Sequence, residues 1–398
     1  MKKSMWFGAG LLAVLAGPVQ GDEVAAWRIV VGDQAAPVVQ VLDFADGREL
    51  ARYDLAGPAA LTAGPAGRLV YAAQGSAGQV AVIDTGIGFE SHGDHAHLLV
   101  TPPRLLDARF EGKKPSHLVG HDGRMALFFD GEGAARIVAE HAILDGKAEP
   151  REIRTAAPHH GVAAAIGRAT LVSVPHPERP AEELPIGIEV RDEAGARVGD
   201  LAACRDLHGE AASGDLTAFA CAEGVLLATV EDGAPVVRRL DYPAALPAGK
   251  ATTLDGGRSL RWFLGNWGPS AVVLIDPSAD EAFRLVTLPS RRVTFAIDPV
   301  RSARAFVVTE DGQLHRLNAL TGKIDASARL TGPYSMDGHW RDPRPRLAFA
   351  DGRLLVSDPN AARILVVAPD TLAVERTIPV DGLPYTIVAV GGVGEGHH

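Results

Sequence analysis

The sequence lacks the features that would point to a membrane protein, a nucleic-acid-binding protein or an enzyme of a familiar class. Beyond the N-terminal residues, no apolar run reaches the roughly 18 residues that a transmembrane helix needs. The net charge is −10, and no basic cluster is long enough to follow a phosphate backbone, which argues against nucleic acid as a partner. The sequence has no G-x-S-x-G elbow, P-loop, H-E-x-x-H helix or Rossmann fingerprint. We therefore predict no catalytic residues.

Cysteine is scarce, with only Cys204 and Cys221 in the chain. In an oxidising compartment two such residues pair by default, and closing a loop of this size stabilises a protein by about 3 kcal/mol. A pair of thiolate metal ligands is the alternative, although the spacing is far from that of a C-x-x-C motif. The sequence predicts a structural disulfide.

The N-terminal residues 1–21 have the three-part pattern of a secretory signal peptide. They comprise a Met-Lys-Lys start, an apolar run over residues 5–17 and a small-residue exit at residues 19–21. Cleavage there would begin the mature protein at Asp22. We expect export into a bacterial periplasm, and the absence of a cysteine near the cleavage site argues against a lipoprotein.

The rest of the chain repeats one β-strand pattern. Eight apolar hairpins start roughly 35 to 56 residues apart, near the period of propeller blades that contain four antiparallel strands. The segment 384–390 has no hairpin partner after it, and the first hairpin lacks an inner strand before it. We predict an all-β fold, a single β-propeller over residues 22–398 with eight blades, closed by the C-terminal strand completing the first blade. Seven blades are the alternative, because residues 252–267 lack a clear inner strand.

The densest cluster of metal-ligating side chains lies within a predicted flexible loop at about residues 88–103. Residues 91–97 read Ser-His-Gly-Asp-His-Ala-His. Neutral imidazoles suit zinc, copper or nickel, and the small residues leave the backbone free to fold around an ion. A polar surface loop that happens to be rich in histidine is the alternative. The predicted metal ligands in this loop are His92, Asp94, His95 and His97.

A second set of histidines stands at the predicted starts of the inner strands. His117, His160 and His208 occupy the same point of three successive blades. Innermost strands line the central channel of a propeller, so equivalent positions converge there. Three imidazoles, with Glu210 or Asp122 nearby in sequence, predict a tetrahedral zinc site whose fourth position is open or filled by a carboxylate.

Alignment of the blades leaves further histidines as candidates for the same channel site. His339 adds a possible fourth ligand from a later blade, and a shift of one or two residues would replace a neighbour by His121 or His159. The alternative to a metal site is a set of polar side chains that line the channel and bind water.

The histidine motifs carry a resemblance to a known family. The His-Gly-Asp-His-Ala-His loop at 92–97, Lys-Pro-Ser-His at 114–117 and Pro-His-His-Gly at 158–161 resemble those of the periplasmic zinc metallochaperones of Azt-type zinc ABC importers. The resemblance covers essentially the whole mature chain, and the loop is its most specific part. It implies zinc as the bound metal and delivery of zinc to the importer's periplasmic solute-binding protein, with no turnover chemistry.

We expect two kinds of metal site in such a carrier. Ligands on a rigid channel would bind zinc tightly because they are preorganised, whereas the loop beside it would exchange ligands readily and deliver the ion. Two other functions remain open. A metal-dependent propeller enzyme, such as a lactonase or a quinoprotein-like enzyme, requires an open coordination position and a substrate pocket. A protein-binding propeller scaffold requires no metal.

Overall fold

The computed structural model describes residues 23–91 and 96–396. These residues form eight β-sheets arranged as the blades of a propeller, which confirms the predicted all-β, eight-bladed fold. Residues 252–267, which left seven blades as an alternative, contain an inner strand of only 2 residues, Leu254–Asp255. Among the described residues, no helix is long and apolar enough to cross a membrane.

Each blade contains four strands, which follow one another from the channel outward. Blades 1 to 4 are formed by β34 (Pro384–Gly396), β1 (Glu23–Asp33), β2 (Val38–Asp43) and β3 (Glu49–Asp54); β4 (Ala60–Ala63), β5 (Leu69–Gln74), β6 (Gln79–Asp84) and β9 (Arg104–Glu111); β10 (Pro115–His121), β11 (Arg124–Phe129), β12 (Ala134–Ala139) and β13 (Arg151–Arg154); and β14 (Ala163–Ile166), β15 (Ala169–Val174), β16 (Gly187–Arg191) and β17 (Arg197–Ala203).

Blades 5 to 8 follow the same order, and the remaining elements lie between strands. These blades are formed by β18 (Glu210–Ser213), β19 (Leu216–Ala220), β20 (Gly224–Glu231) and β21 (Ala234–Asp241); β22 (Leu254–Asp255), β23 (Phe263–Trp267), β24 (Ala271–Ile275) and β25 (Phe283–Thr287); β26 (Arg292–Ile297), β27 (Arg304–Thr309), β28 (Gln313–Asn318) and β29 (Lys323–Arg329); and β30 (Leu347–Ala350), β31 (Arg353–Asp358), β32 (Arg363–Val367) and β33 (Val374–Pro379). The other elements are the hairpin strands β7 (Ile87–Ser91) and β8 (Ala96–Val100), helix α1 (Glu140–Leu144) and the 3-10 turn Pro359–Ala361.

The burial of each strand explains its sequence pattern. The middle strands of a blade pack against neighbouring blades on both faces, so β11 is apolar almost throughout, and five of its six residues are buried. The outermost strands have one solvated face. In β29, lysine, aspartate and arginine therefore alternate with half-buried residues. The apolar hairpins of the sequence are these pairs of buried middle strands.

The C-terminal strand closes the ring as predicted. β34 is the innermost strand of blade 1 and pairs antiparallel with β1 over its whole length, from Pro384 opposite Asp33 to Glu395 opposite Glu23. Both ends of the described chain therefore stabilise one blade. This closure leaves no gap between the first and last blades, and the inner strand has hydrogen-bonding partners that an open edge would lack.

Strand direction divides the propeller into two faces. Successive strands of a blade run antiparallel, so all inner strands begin on one face, which we call the upper face, and end on the lower face. The hairpin β7–β8 is inserted between the third and fourth strands of blade 2, a connection on the lower face. There β8 pairs in parallel with the end of β34 and extends the sheet of blade 1 to six strands. We call this hairpin the arm.

A glycine turn sets the base of the arm. Gly86 has φ +75°, and a Cβ atom there would lie 2.1 Å from the carbonyl oxygen of Thr101. Only glycine fits this close approach at a positive φ. Directly before the turn, the buried carboxylate of Asp84 accepts hydrogen bonds from Arg68 and Arg104. The arm therefore leaves the propeller from a fixed point.

A disulfide joins Cys204 to Cys221, which confirms the predicted pairing. Cys204 follows the last strand of blade 4, and Cys221 follows the second strand of blade 5. Both residues are buried in a cluster that contains Leu171 and Phe219. The bond thus links two neighbouring blades near the upper face.

Candidate metal centre

Three histidines from neighbouring blades meet at the upper mouth of the channel. His117 is the third residue of β10, and His160 and His208 lie just before β14 and β18. The Nε2 atoms of His117 and His160 are 3.2 Å apart, and those of His160 and His208 are 3.3 Å apart. Among the described residues, these are the group of histidine, cysteine and acidic side chains whose ligand atoms lie close enough together to hold one metal ion. The three histidines that the alignment of the blades placed at equivalent positions therefore lie next to one another in the structure.

The spacing of these nitrogens fits a tetrahedral zinc site. With Zn–N bonds of about 2.0–2.1 Å, two ligands of a tetrahedron are separated by about 3.3 Å. Two of the three Nε2–Nε2 separations, 3.2 and 3.3 Å, match this value, and the ligand atoms of all three histidines lie within 4.8 Å of one another. Three protein nitrogens on one ion would leave a fourth coordination position for another ligand. The His160 side chain is 37% exposed, so the centre is in contact with solvent on the His160 side.

Each of the three histidine rings has a hydrogen-bond acceptor at Nδ1, on the side of the ring away from the other two histidines' Nε2 atoms. The Nδ1–H of His117 donates to Glu210 Oε1 at 2.9 Å, and that of His160 donates to Asp130 Oδ2 at 2.7 Å. The Nδ1–H of His208 donates to the carbonyl oxygen of Thr252 at 2.8 Å, on the next blade. A hydrogen bond at Nδ1 leaves Nε2 as the ligand atom and raises its basicity, as in carboxylate–histidine–zinc arrangements.

Burial and the neighbouring carboxylates act on the protonation of these groups in opposite directions. Burial by itself lowers the pKa of His117, but the Glu210 carboxylate outweighs it and the pKa of His117 is raised. Burial lowers the pKa of His208, whose Nδ1 partner is a neutral carbonyl. In the metal-free protein a proton is thus held better at His117 than at His208. Zinc must displace that proton, so zinc binding weakens as the pH falls.

The sequence-based candidate His159 lies apart from the metal centre, although it adjoins His160 in sequence. It is only 2% exposed, and burial lowers its pKa. Its Nδ1–H donates to the carbonyl oxygen of Ala157 at 2.9 Å, and its Nε2 accepts from the hydroxyl of Ser173 at 2.8 Å. Both ring nitrogens are therefore engaged within blade 4.

Two more of the candidate histidines lie elsewhere on the molecule. His121 is the last residue of β10, at the lower face, with its Nδ1 3.1 Å from Asp122 Oδ2. Asp122 therefore accompanies His121 rather than the three-histidine centre. His339 lies in an exposed loop before β30, where its ring stacks beside Trp340 at 5.5 Å.

Of the four loop candidates, the structure describes His97, which belongs to the arm. His97 is in β8, opposite Glu90 of β7 and Glu395 of β34. His92, Asp94 and His95 lie outside the described residues. Since the arm leaves the lower face, its base is on the opposite side of the propeller from the three histidines. The described strands of the arm thus start away from the three histidines, and the placement of loop residues 92–95 beside the channel site stays a prediction.

Sequence reasoning missed two of the three outer partners. Asp130 follows β11 at the upper face, and its buried carboxylate contacts His160 and the hydroxyl of Ser116. The sequence signal that could have identified Asp130 was its position directly after an apolar second strand, where a side chain lies at the upper face. The carbonyl oxygen of Thr252 gives no sequence signal at all. Glu210 was predicted as a possible ligand, and the structure instead places it behind His117.

The outer carboxylate of Glu210 yields a prediction. In Glu210→Gln the negative charge behind His117 is lost while the size of the side chain is kept. We expect zinc affinity at the centre to fall about tenfold, because outer partners typically contribute 10- to 100-fold. Competition with a chelating indicator at pH 7 measures this. Glu189→Gln is the matched control, because Glu189 is a buried carboxylate that pairs with Arg191. An equal loss of affinity in both variants would contradict the role given to Glu210.

The fold and the site together define an eight-bladed β-propeller with a three-histidine candidate metal centre in its channel. No model of a known protein family matches the chain. The chain is 45% identical to the zinc chaperone AztD of Citrobacter koseri over 388 residues, which is 97% of this chain and 92% of the relative. The chain belongs to the AztD family.

Solved structures support the same assignment. The crystal structure of Citrobacter koseri AztD has a TM-score of 0.91 at 46% identity and covers 94% of this chain and 100% of that chain. Apo AztD from the same organism has a TM-score of 0.90 at 44% identity, with the same coverage. Dihydro-heme d1 dehydrogenase NirN, with a TM-score of 0.57 at 14% identity, covers 90% of this chain and 74% of that chain, and shares the fold alone.

Proposed function

We propose that the chain is a zinc metallochaperone that binds zinc at His117, His160 and His208 and at the arm loop. It delivers the ion to the periplasmic solute-binding protein of a zinc ABC importer. The observation that carries this proposal is the convergence of three histidine ligand atoms within 4.8 Å of one another, with two Nε2–Nε2 separations at tetrahedral zinc spacing. Each ring also has a hydrogen-bond acceptor at Nδ1. Its support from relatives is the 45% identity to a zinc chaperone.

Export is part of the proposal. Residues 1–21 would direct the chain to the periplasm and be removed, leaving a propeller that carries both zinc sites. The disulfide between Cys204 and Cys221 supports this location, since disulfides form and persist in oxidising compartments. Neither an enzyme nor a metal-free scaffold is favoured, because the relative is named a chaperone of zinc.

The two zinc sites differ in how their ligands are held. The channel histidines lie on or just before the inner strands of three blades, and each has an acceptor at Nδ1, which favours tight binding. The loop joins two strands of an arm on the lower face. We propose that the loop is the delivering site, because the described strands on either side of it belong to the arm and lie outside the channel. Zinc at the loop and zinc in the channel then exchange with solvent or partner separately.

A transfer experiment tests the role of the loop. The triple variant H92A/H95A/H97A, loaded with zinc, is mixed with the metal-free solute-binding protein of a zinc ABC importer, and zinc transfer is followed over time. We expect transfer at least tenfold slower than for the unchanged chain, while the three-histidine centre still binds zinc. The number of zinc ions bound per chain should fall by the number that the loop binds in the unchanged chain.

The control for this experiment removes histidines that belong to neither site. The variant H141A/H176A should transfer zinc at the original rate, because these side chains lie in the helix after β12 and in the loop after β15. Unchanged transfer from the loop variant would reject the loop as the delivering site and leave the channel centre as the donor.

A further inference from the structure

The channel contains a second polar site on the side away from the histidines. A cavity of about 300 Å³ opens among the starts of the inner strands of blades 6, 7 and 8. The three histidines belong to blades 3, 4 and 5. The polar side chains that line the cavity are those of Thr253, Asp255, Arg292, Thr294 and Arg346.

Neither arginine of this cavity forms an ion pair within the described part of the chain. The Nε atom of Arg292 is buried without a hydrogen-bond partner, and the guanidinium lies 5.5 Å from the ring of Phe295. Burial lowers the pKa of Arg292 with no carboxylate to oppose it. Arg346 donates to Tyr385 Oη at 2.9 Å and to the carbonyl oxygen of Pro345 at 3.1 Å. Two guanidinium charges thus face one cavity, and neither is paired with a carboxylate of the described residues.

The acidic residue of the cavity does not neutralise them. The carboxylate of Asp255 accepts hydrogen bonds from the backbone N–H groups of Ile297, at 2.8 Å, and Gly256. Burial raises the pKa of Asp255 to about 6. Its contacts hold the turn after β22 and the end of β26 together. The carboxylate therefore has a structural role, and the cavity keeps a net positive charge.

We propose that this cavity binds a small oxyanion, with carboxylate or phosphate chemistry. Guanidinium groups bind planar carboxylates and phosphates through paired N–H donors, and buried charges are ordinarily compensated. The volume is at the lower end of the range for small-molecule sites. The site needs no metal, so the proposal goes beyond the proposed function and holds or fails independently of it.

Isothermal titration of the zinc-free protein tests the site, with citrate and inorganic phosphate as separate probes. We expect at least one probe to bind the unchanged chain with a dissociation constant below about 1 mM. Binding should weaken at least tenfold in Arg292→Gln and in Arg346→Gln, because each change removes charge-assisted hydrogen bonds to the anion. The better probe identifies the anion class. Arg168→Gln is the control, since that arginine is fully exposed and pairs with Glu193.

A third variant distinguishes a specific loss of anion binding in the arginine variants from a general loss of folding. Asp255→Asn removes the negative charge of the cavity while its amide oxygen still accepts from the backbone, so it should bind the anion a few-fold more tightly. Tighter binding by this variant, with weaker binding by the arginine variants, supports the site. Failure of both probes to bind the unchanged chain, or equal binding by all variants, would overturn it.

Discussion

Replacing His160 by alanine is expected to abolish zinc binding at the channel centre. His160 stands between the other two ligands, with its Nε2 3.2 Å from that of His117 and 3.3 Å from that of His208. Its loss leaves two nitrogens 4.8 Å apart or less, too few to complete a tetrahedral site. We expect affinity to fall by more than about 100-fold, beyond the effect of any outer partner.

The measurement needs a background in which the loop cannot bind zinc. His160→Ala is therefore made in the chain that also carries H92A/H95A/H97A, and affinity is measured by equilibrium competition with a chelating indicator. Only the channel centre then contributes to the signal. A change of less than about tenfold would contradict the assignment of His160 as a ligand, since even an outer partner contributes that much.

The neighbouring residue provides a sharp control. His159→Gln removes a buried imidazole whose two nitrogens are engaged by Ala157 and Ser173. It should lower the free energy of unfolding by about 1–3 kcal/mol, because buried hydrogen-bonding groups lose partners. Zinc affinity should change little. His160→Ala should show the reverse, a large loss of zinc affinity with a smaller effect on stability, because its side chain is partly exposed and the Asp130 carboxylate keeps its hydrogen bond from Ser116. Two adjacent histidines thus separate folding from binding.

Removing the disulfide is expected to lower the stability of the folded protein substantially. The double variant Cys204→Ala/Cys221→Ala should lower the free energy of unfolding by about 3 kcal/mol, the value expected for a closed loop of this length. Alanine is chosen because both positions are buried, at 1% and 0% exposure, where a serine hydroxyl would need a partner. Denaturant unfolding of the zinc-free protein measures the change.

The same variant should also weaken the metal centre. Cys204 begins the short segment that leads to His208, whose backbone N–H donates to the carbonyl oxygen of Ala220, the residue before Cys221. Loosening this segment should lower zinc affinity by a few-fold, far less than removal of His160. Reduction of the unchanged chain in zinc-free buffer separates the loss of the bond from the loss of sulfur packing. An unfolding free energy that is unaffected by reduction would contradict the stabilising role.

Local patterns make most of the fold predictable from the amino-acid sequence. The buried middle strands of each blade produce apolar hairpins at regular spacing, and the unpaired final strand at 384–390 required a partner in the first blade. The inner strand that the sequence showed least clearly, within residues 252–267, is also the shortest strand of the structure, since β22 has only 2 residues. The two cysteines could be paired because no competing cysteine exists.

The candidate site was only partly predictable. The repeat aligned His117, His160 and His208. Because the alignment of the blades was uncertain by one or two residues, the sequence could not show whether His160 or His159 belongs to the site. Side chains of adjacent residues point in different directions, so one ring enters the channel while the other is buried in the blade. The partner of His208 is a backbone carbonyl on another blade, which residue identity cannot reveal.

The amino-acid sequence alone predicts the repeating blade, the closing strand, the disulfide and the set of histidines that includes the candidate metal centre. These features depend on periodicity and on residue type, both of which are local. The tertiary structure was needed to show which histidines lie close enough together to hold one ion, which carboxylates stand behind them, and that the base of the arm and the metal centre lie at opposite faces. Those facts depend on how strands far apart in the chain run and pack around the channel, which no local pattern records.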